Sequence, residues 1–378
     1  MSEASPGSAT TGRRAFLLGA TASATGLGLS ACAPAEPRTQ VAAVPPSFRG
    51  THQAGIVDPA PRSLLFLALN LVGGTDRLAV DRVLADWSRA IEPATRGIPD
   101  APELVGLDTT GLTVTVGVGP DLPGKIGLAA PKELAPIPAL PGDRLQPAFC
   151  GGDLAAQICS NDPLVSLQTA QTLTRLSQGV LTTRWRLTGF TQPGPATPRN
   201  AFGFKDGTGN PRTTTDVDNA VWIPDGPWRH GTFLVVRRIP MDVQRFAALP
   251  TSRQEAVIGS RRDTGAPLTG HDEFDEINLF AKHPDGTYVL PVDAHSRRAH
   301  ARFDGGRQML RRGFTYSSGN DETGLLFLAF MKDPALFTRV QARLAEQDAL
   351  NDFVQHTGSA VFLMLPGTGD NTVLRLPG

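Results

Sequence analysis

Cysteine, tyrosine and net charge are what this 378-residue chain has least of. It holds three cysteines, two tyrosines, and 36 basic against 36 acidic side chains. Balanced charge without a basic stripe excludes the electrostatic footprint of a nucleic-acid binder. No two cysteines stand in a C-x-x-C spacing, which argues against a cysteine-built zinc site. Cys150 and Cys159 leave two readings open: a disulfide in an oxidising compartment, or, for Cys159 in the apolar run LAAQIC, a small buried hydrophobe. A membrane-spanning run is also missing near the N-terminus. The uncharged stretch 15–31 is rich in Ala, Gly, Ser and Thr and only 17 residues long, short of the roughly 20 strongly apolar residues a spanning helix needs. What the chain does have is glycine (40) and proline (32), hence many turns, in an otherwise ordinary globular composition of 40% apolar and 19% charged residues.

Arg13 and Arg14 stand directly before the uncharged stretch, followed by Phe16-Leu17-Leu18. Paired arginines ahead of a short, mild apolar segment resemble a twin-arginine signal, the export route of proteins that fold first and so keep a bound cofactor. Leu29-Ser30-Ala31-Cys32 resembles a lipobox, in which Cys32 is lipidated and becomes the mature N-terminus. Ordinary signal-peptidase cleavage nearby is the alternative. Residues 1–32 are therefore expected to be a signal, and the Pro- and Ala-rich residues 33–60 a tether. The mature protein is expected to be extracytoplasmic, periplasmic or lipid-anchored at the cell envelope.

The mature chain divides into two similar halves. In the first, 63–72 is a strand candidate. Val80, Val83, Leu84, Trp87 and Ile91 then fall on one helical face, and 112–118 alternates as a strand. A strand at 153–159, a helix at 163–179 ended by Gly179 and a strand at 182–190 complete a β-α-β-β-α-β order, the ferredoxin-like unit. The second half repeats it: strand 231–239, helix 242–259, strands 314–318 and 324–331, helix 334–347 and strand 360–366. An irregular insertion, 260–312, interrupts this half and holds four of the seven histidines, His271, His283, His295 and His300. Insertions of that length in a compact unit are usually functional. The expectation is an α+β protein of duplicated ferredoxin-like halves with antiparallel sheets, one domain at 61–214 and one at 215–378.

Three strings carry chemistry. TPRNAFGFKDGTGNP (197–211) is glycine-rich around one acid, Asp206, and such glycines let a backbone approach a flat ligand closely. DAHSRRAHAR (293–302) offers His295 and His300, and MLRRGFTY (309–316) places Arg311 and Arg312 just before a strand. An Asp-Gly turn, surface histidines and surface arginines would explain each string singly. Together they supply an imidazole for iron, a base for the proton of hydrogen peroxide, and a cation for the charge that develops as the O–O bond breaks.

The string GFKDGTGN resembles the GxxDG signature of dye-decolourising haem peroxidases, and the likeness runs from about residue 60 to the C-terminus, including 254–268 and 333–367. The chain is most similar to their twin-arginine-exported subgroup, which includes deferrochelatase/peroxidase proteins of iron-uptake systems. That resemblance implies one haem b per chain, held mainly by the C-terminal half. It implies His295 as the axial ligand, Asp206 as the acid–base residue and Arg311 as the distal arginine, with Arg312 as the alternative in register and His300 as a rival ligand. Gly207, Thr208 and Arg297 join Asp206, His295 and Arg311 as expected cofactor contacts. The chain departs from the family pattern with Ser296, His300, Ser260 and Phe314, where Ile, Asn, Arg and Tyr are common. These departures bear on propionate contacts, subunit packing and redox tuning, and leave iron ligation intact.

The implied function is reduction of hydrogen peroxide and one-electron oxidation of organic donors such as dyes and phenolics. Asp206 shuttles the proton and Arg311 polarises the bond. An aspartate base has an ordinary pKa of about 3.9 against about 6.5 for histidine, so the peroxide step is expected to persist to about pH 4–5. Donors too bulky for a buried ring would hand electrons to an aromatic relay. Tyr316 is the first candidate among Tyr288, Tyr316, Trp87, Trp185, Trp222 and Trp228, with core packing the plainer role. Two other functions remain in view: removal of iron from haem as cargo, with iron-uptake components as partners, and capture of a ligand for a transporter. A homodimer or higher oligomer is left open.

Overall fold

Strand β1 (Ser63–Leu71) is buried on both faces along most of its length, and that double burial sets the architecture. Leu65, Leu67 and Leu69 face one apolar core, while Leu64, Phe66 and Ala68 face another. A strand covered on both sides is a continuous apolar run and not an alternation, which is what SLLFLAL presents.

The computed structural model describes residues 46–319, 321–369 and 373–377. The expected signal, Arg13, Arg14 and Cys32 lie outside the described residues. The first half runs β1, α1 (Arg77–Thr95), β2 (Thr113–Val118), the short α2 (Leu122–Ile126), β3 (Leu154–Ser160), α3 (Pro163–Leu176) and β4 (Leu181–Phe190). The second runs α4 (Thr214–Ala220), β5 (Thr232–Pro240), α5 (Val243–Ala247), α6 (Thr251–Ile258), α7 (His295–Arg298), β6 (Leu310–Ser318), β7 (Glu322–Met331), α8 (Ala335–Gln347) and β8 (Gly358–Met364). Helix α1 starts where the Asp76 side chain accepts from Ala79 N at 2.8 Å. It buries Val80, Val83, Leu84, Trp87 and Ile91 against the outer face of the first sheet.

Each half pairs its strands in the same antiparallel order, fourth, first, third, second: β4-β1-β3-β2 and β8-β5-β7-β6. The expected ferredoxin-like duplication is therefore present, and the strands of the two halves, 61–214 and 215–378, share one sheet. β2 joins β8 at Gly117↔Met364 and Val118↔Leu363, and β4 joins β6 at Phe190↔Thr315, which closes one barrel. Each sheet thereby covers strand edges that would otherwise present unpaired N–H and C=O groups. The barrel interior is filled by Phe66, Trp185, Phe314, Tyr316, Phe330 and Phe362, among others.

The structure corrects several expectations. The described part of the tether is packed: Phe48 and Ile56 are buried, and Gln53 hydrogen-bonds Val116 N and O and Leu365 O at 2.7–2.9 Å. The helix expected over 242–259 is two helices, because Pro250 lacks an N–H and disfavours helical geometry at Leu249. Helix α3 stops at Leu176, before Gly179, where Ser177 Oγ donates to Leu173 O at 2.8 Å. Cys150 and Cys159 are not bonded to each other and are free thiols among the described residues; Cys159 is the buried hydrophobe inside the barrel. Strand β6 begins at Leu310, so Arg311 and Arg312 lie on it and not ahead of it.

Candidate active site

Because successive strand residues point to opposite faces, β6 separates its two arginines. Arg312 turns into the barrel with Phe314 and Tyr316. It is buried there, and its Nη1 donates to Ile56 O at 3.1 Å and to Asp58 O. Arg311 turns outward into a cavity of about 490 Å³, within the range of roughly 300–1,000 Å³ typical of cofactor sites. The outer face of β7 supplies Leu325 and Phe327 to the wall, and the insertion 260–312 and α8 enclose the rest. The cavity draws on the second half and on the loop 200–210 that precedes it, so the expected C-terminal pocket needs the end of the 61–214 segment as well.

That loop is clasped to β6. Asn210 Nδ2 donates to Arg311 O at 2.8 Å, and Asn210 Oδ1 accepts from Arg311 N at 3.1 Å. Asp206 N donates to Pro198 O at 2.8 Å. The result is Asp206 Oδ1 standing 3.8 Å from Arg311 Nη1, a loose pair with both side chains partly exposed to the cavity. Gly207 has φ +129°, a backbone that side-chain-bearing residues rarely adopt. Gly313, the next outward position on β6, lets Leu325 close in beside the acid: a Cβ there would lie 3.0 Å from Leu325 Cδ1 and 3.6 Å from Asp206 Oδ2.

His295 opens the single turn α7 and lines the same cavity. Its Nδ1 lies 2.6 Å from Asp348 Oδ2. Asp348 is buried, and its Oδ1 accepts from Leu350 N at 2.9 Å. Burial alone would lower the His295 pKa, but the Asp348 carboxylate outweighs it and leaves the ring above its ordinary value. A carboxylate on Nδ1 fixes the proton there and leaves the Nε2 lone pair for a metal. His300 also lines the cavity, but its Nδ1 accepts from Arg302 N at 3.2 Å, within its own turn. Of the two imidazoles, His295 is the one backed by a carboxylate.

Sequence reasoning missed three participants. Asp348 carried no signal beyond a lone acid after a helix, and Asn210 none beyond its place in the glycine-rich string. The third is His356, on the cavity wall, whose Nδ1 accepts from Arg237 Nε at 3.3 Å. Arg237 is fully buried, paired with Asp143 and bonded to Ser359 Oγ at 3.0 Å. Burial and then the Arg237 charge push His356 down to about 3, so it stays neutral with its Nε2 toward Gln341.

Of the expected cofactor contacts, Gly207 and Thr208 line the cavity, whereas Arg297 does not. The Arg297 guanidinium donates to Leu279 O and Leu290 O at 2.7 and 3.2 Å and lies over the Tyr288 ring, its Cζ 4.5 Å from the centroid. The exposed Arg212 and Arg307 reach the cavity instead. Tyr316 is 1% exposed inside the barrel, so no bulky donor can touch it; Tyr288 is half-buried.

The donor set fits haem. A carboxylate-backed imidazole, an acid with a facing cation and apolar walls from Phe204, Ile239, Met241, Leu325 and Phe327 suit a flat ring with a reactive iron.

Residues 53–191 match the family model described as Dyp-type peroxidase, N-terminal, and residues 197–369 match Dyp-type peroxidase, C-terminal. The chain is 36% identical over 364 residues to a dye-decolorizing peroxidase of Thermobifida fusca, covering 87% of this chain and 84% of that protein. It is 33% identical over 360 residues to a deferrochelatase of Yersinia pseudotuberculosis, covering 85% and 82%. Its fold is similar to the crystal structure of a DyP-type peroxidase from Cellulomonas bogoriensis, with TM-score 0.83 and 37% identity over 88% of this chain and 97% of that one.

Proposed function

Because this chain belongs to the Dyp-type peroxidase family, we propose that Asp206, Arg311 and His295 are the residues with which it works. The protein is a haem b peroxidase that reduces hydrogen peroxide and oxidises organic donors in one-electron steps. When bound, haem supplies the redox-active iron that takes oxidising power from peroxide and passes it on one electron at a time.

His295 Nε2 would hold that iron, with Asp348 keeping the ring's orientation and its Nδ1 proton. Asp206 would accept a proton from one peroxide oxygen and hand it to the other, the oxygen that departs as water. The Arg311 guanidinium stabilises negative charge on the departing oxygen. The loose 3.8 Å spacing of Asp206 and Arg311, both lining the cavity, leaves peroxide a place beside both groups. The observation that carries this division of labour is the convergence of all three side chains on one cavity. An absorption spectrum tests it: the purified holoprotein should show a Soret band that shifts on adding peroxide. The His295→Ala variant should lose normal ligation. A normally ligated cofactor in that variant would overturn the assignment.

The deferrochelatase relative supports a second reading, release of iron from haem. Free protoporphyrin appearing during incubation with haem would mark it. Arg13, Arg14 and the lipobox-like Cys32 support twin-arginine export and lipid anchoring at the envelope. Labelling with a radioactive fatty acid, lost in Cys32→Ser, tests the anchor.

A further inference from the structure

Glu273 stands on the insertion, yet both of its carboxylate oxygens are used on the loop that carries Asp206. Oε2 pairs with Nζ of Lys205, the residue before Asp206, and Oε1 accepts from Oγ1 of Thr208, two residues after it, at 3.1 Å. The ion pair is largely shielded, its side chains 19% and 12% exposed. The insertion grips Lys205 at a second point: a Cβ on Gly265 would meet Lys205 Cδ at 2.5 Å, so the lysine stem runs directly over that glycine. The neighbouring Phe274 ring lies 3.8 Å from the Arg212 guanidinium carbon. Burial alone would raise the Glu273 carboxyl, but Lys205, Thr197 and Thr208 together hold it below its ordinary value, in the charged form. Lys205 is thus paired with Glu273, while Arg311 Nη1 stands 3.8 Å from Asp206 Oδ1.

We propose that Glu273 is a positioning residue, a clamp that aims Asp206 by holding the residues on either side of it. Because Glu273 and Phe274 also wall the cavity, the same clamp shuts the cavity around the cofactor. Aim and closure are therefore coupled. The inference rests on Asp206 as the acid–base residue for its first half only; the closure half stands without it.

The test uses holoenzyme of the wild type, Glu273→Gln, Lys205→Met, their double variant and the charge-swapped pair Lys205→Glu with Glu273→Lys. Haem transfer to excess apomyoglobin measures closure, and stopped-flow mixing with peroxide measures aim. Each single variant should speed haem transfer about tenfold, as expected for breaking a shielded ion pair. The double variant should be no faster than either, since both remove one interaction, and the swap should recover part of the loss. Glu273→Gln should also slow the peroxide step about tenfold while KM for a small donor stays fixed. Wild-type haem transfer in Glu273→Gln, additive effects in the double variant, or a slower peroxide step without faster transfer would each overturn the clamp. Asp206→Asn, run alongside, separates the two ideas. An undiminished peroxide step there defeats the acid–base role, while haem transfer still judges the clamp.

Discussion

Arg311 and Arg312 are consecutive in sequence and serve opposite faces of one strand: Arg311 looks across the cavity to Asp206 at 3.8 Å, while Arg312 is bound to Ile56 O inside the barrel. The pleat thus gives Arg311 to the cavity and Arg312 to the barrel interior. Arg311→Leu should slow the peroxide step by about 10²–10³-fold, the usual cost of removing one charge-stabilising donor, with stability little changed. Arg312→Met should do the reverse, keeping the peroxide step and losing about 1–3 kcal/mol of stability as the Ile56 and Asp58 carbonyls lose their donor. Stopped-flow kinetics and denaturant unfolding of the two variants check the pair.

Asp348→Asn keeps an acceptor for the His295 Nδ1 proton and removes the charge. Haem affinity should fall about 10–100-fold, the typical effect of losing a partner that orients a metal ligand. Spectrophotometric haem titration of the apoprotein measures it. Unchanged affinity would show that ring orientation by packing alone suffices.

His356 makes the stability depend on pH. Its folded-state pKa, about 3, lies below the ordinary histidine value, so the unfolded chain takes up the proton first as pH falls. The contribution is complete above about pH 6.5 and is lost as pH drops toward 3. Wild type should lose more unfolding free energy than His356→Gln between pH 7 and pH 4.5, by on the order of 1–2 kcal/mol. Urea melts of the apoproteins at the two pH values give the difference.

Tyr316 and Tyr288 should respond differently to losing their hydroxyls. The Tyr316 hydroxyl is buried with no hydrogen-bond partner among the described residues, so Tyr316→Phe should be neutral or stabilising by up to about 1 kcal/mol and leave large-donor turnover intact. Tyr288 is half-buried between Lys282 Nζ and Arg297 Cζ, 4.9 and 4.5 Å from its ring centroid, and Arg297 belongs to the His295 turn. Tyr288→Phe should lower turnover of bulky dyes and spare small donors. Parallel assays with one large and one small donor decide it.

The strands and long helices were legible because their periodicity is local: Val80 to Ile91 mark one helix face whatever surrounds them. Asp206, His295 and Arg311, which the structure brings to one cavity, each stand in a short string that drew notice for its residue types. Asp348, Asn210 and Glu273 were not legible, because each matters only through a partner at least 50 residues away, and nothing in a single acid or amide announces its partner. Arg297 was misplaced for a related reason. Its position two residues past His295 turns it out of the cavity, toward the carbonyls of Leu279 and Leu290.

The seams of the barrel are narrow, two residue pairs between β2 and β8 and one between β4 and β6. Severing the chain near residue 214 would leave each fragment with two raw flanks and half of an aromatic interior facing water. Neither fragment is a module that can be expressed or transplanted alone. The duplication behaves as a dimer made permanent by one peptide linkage, and co-expressed fragments should recombine where either one by itself precipitates.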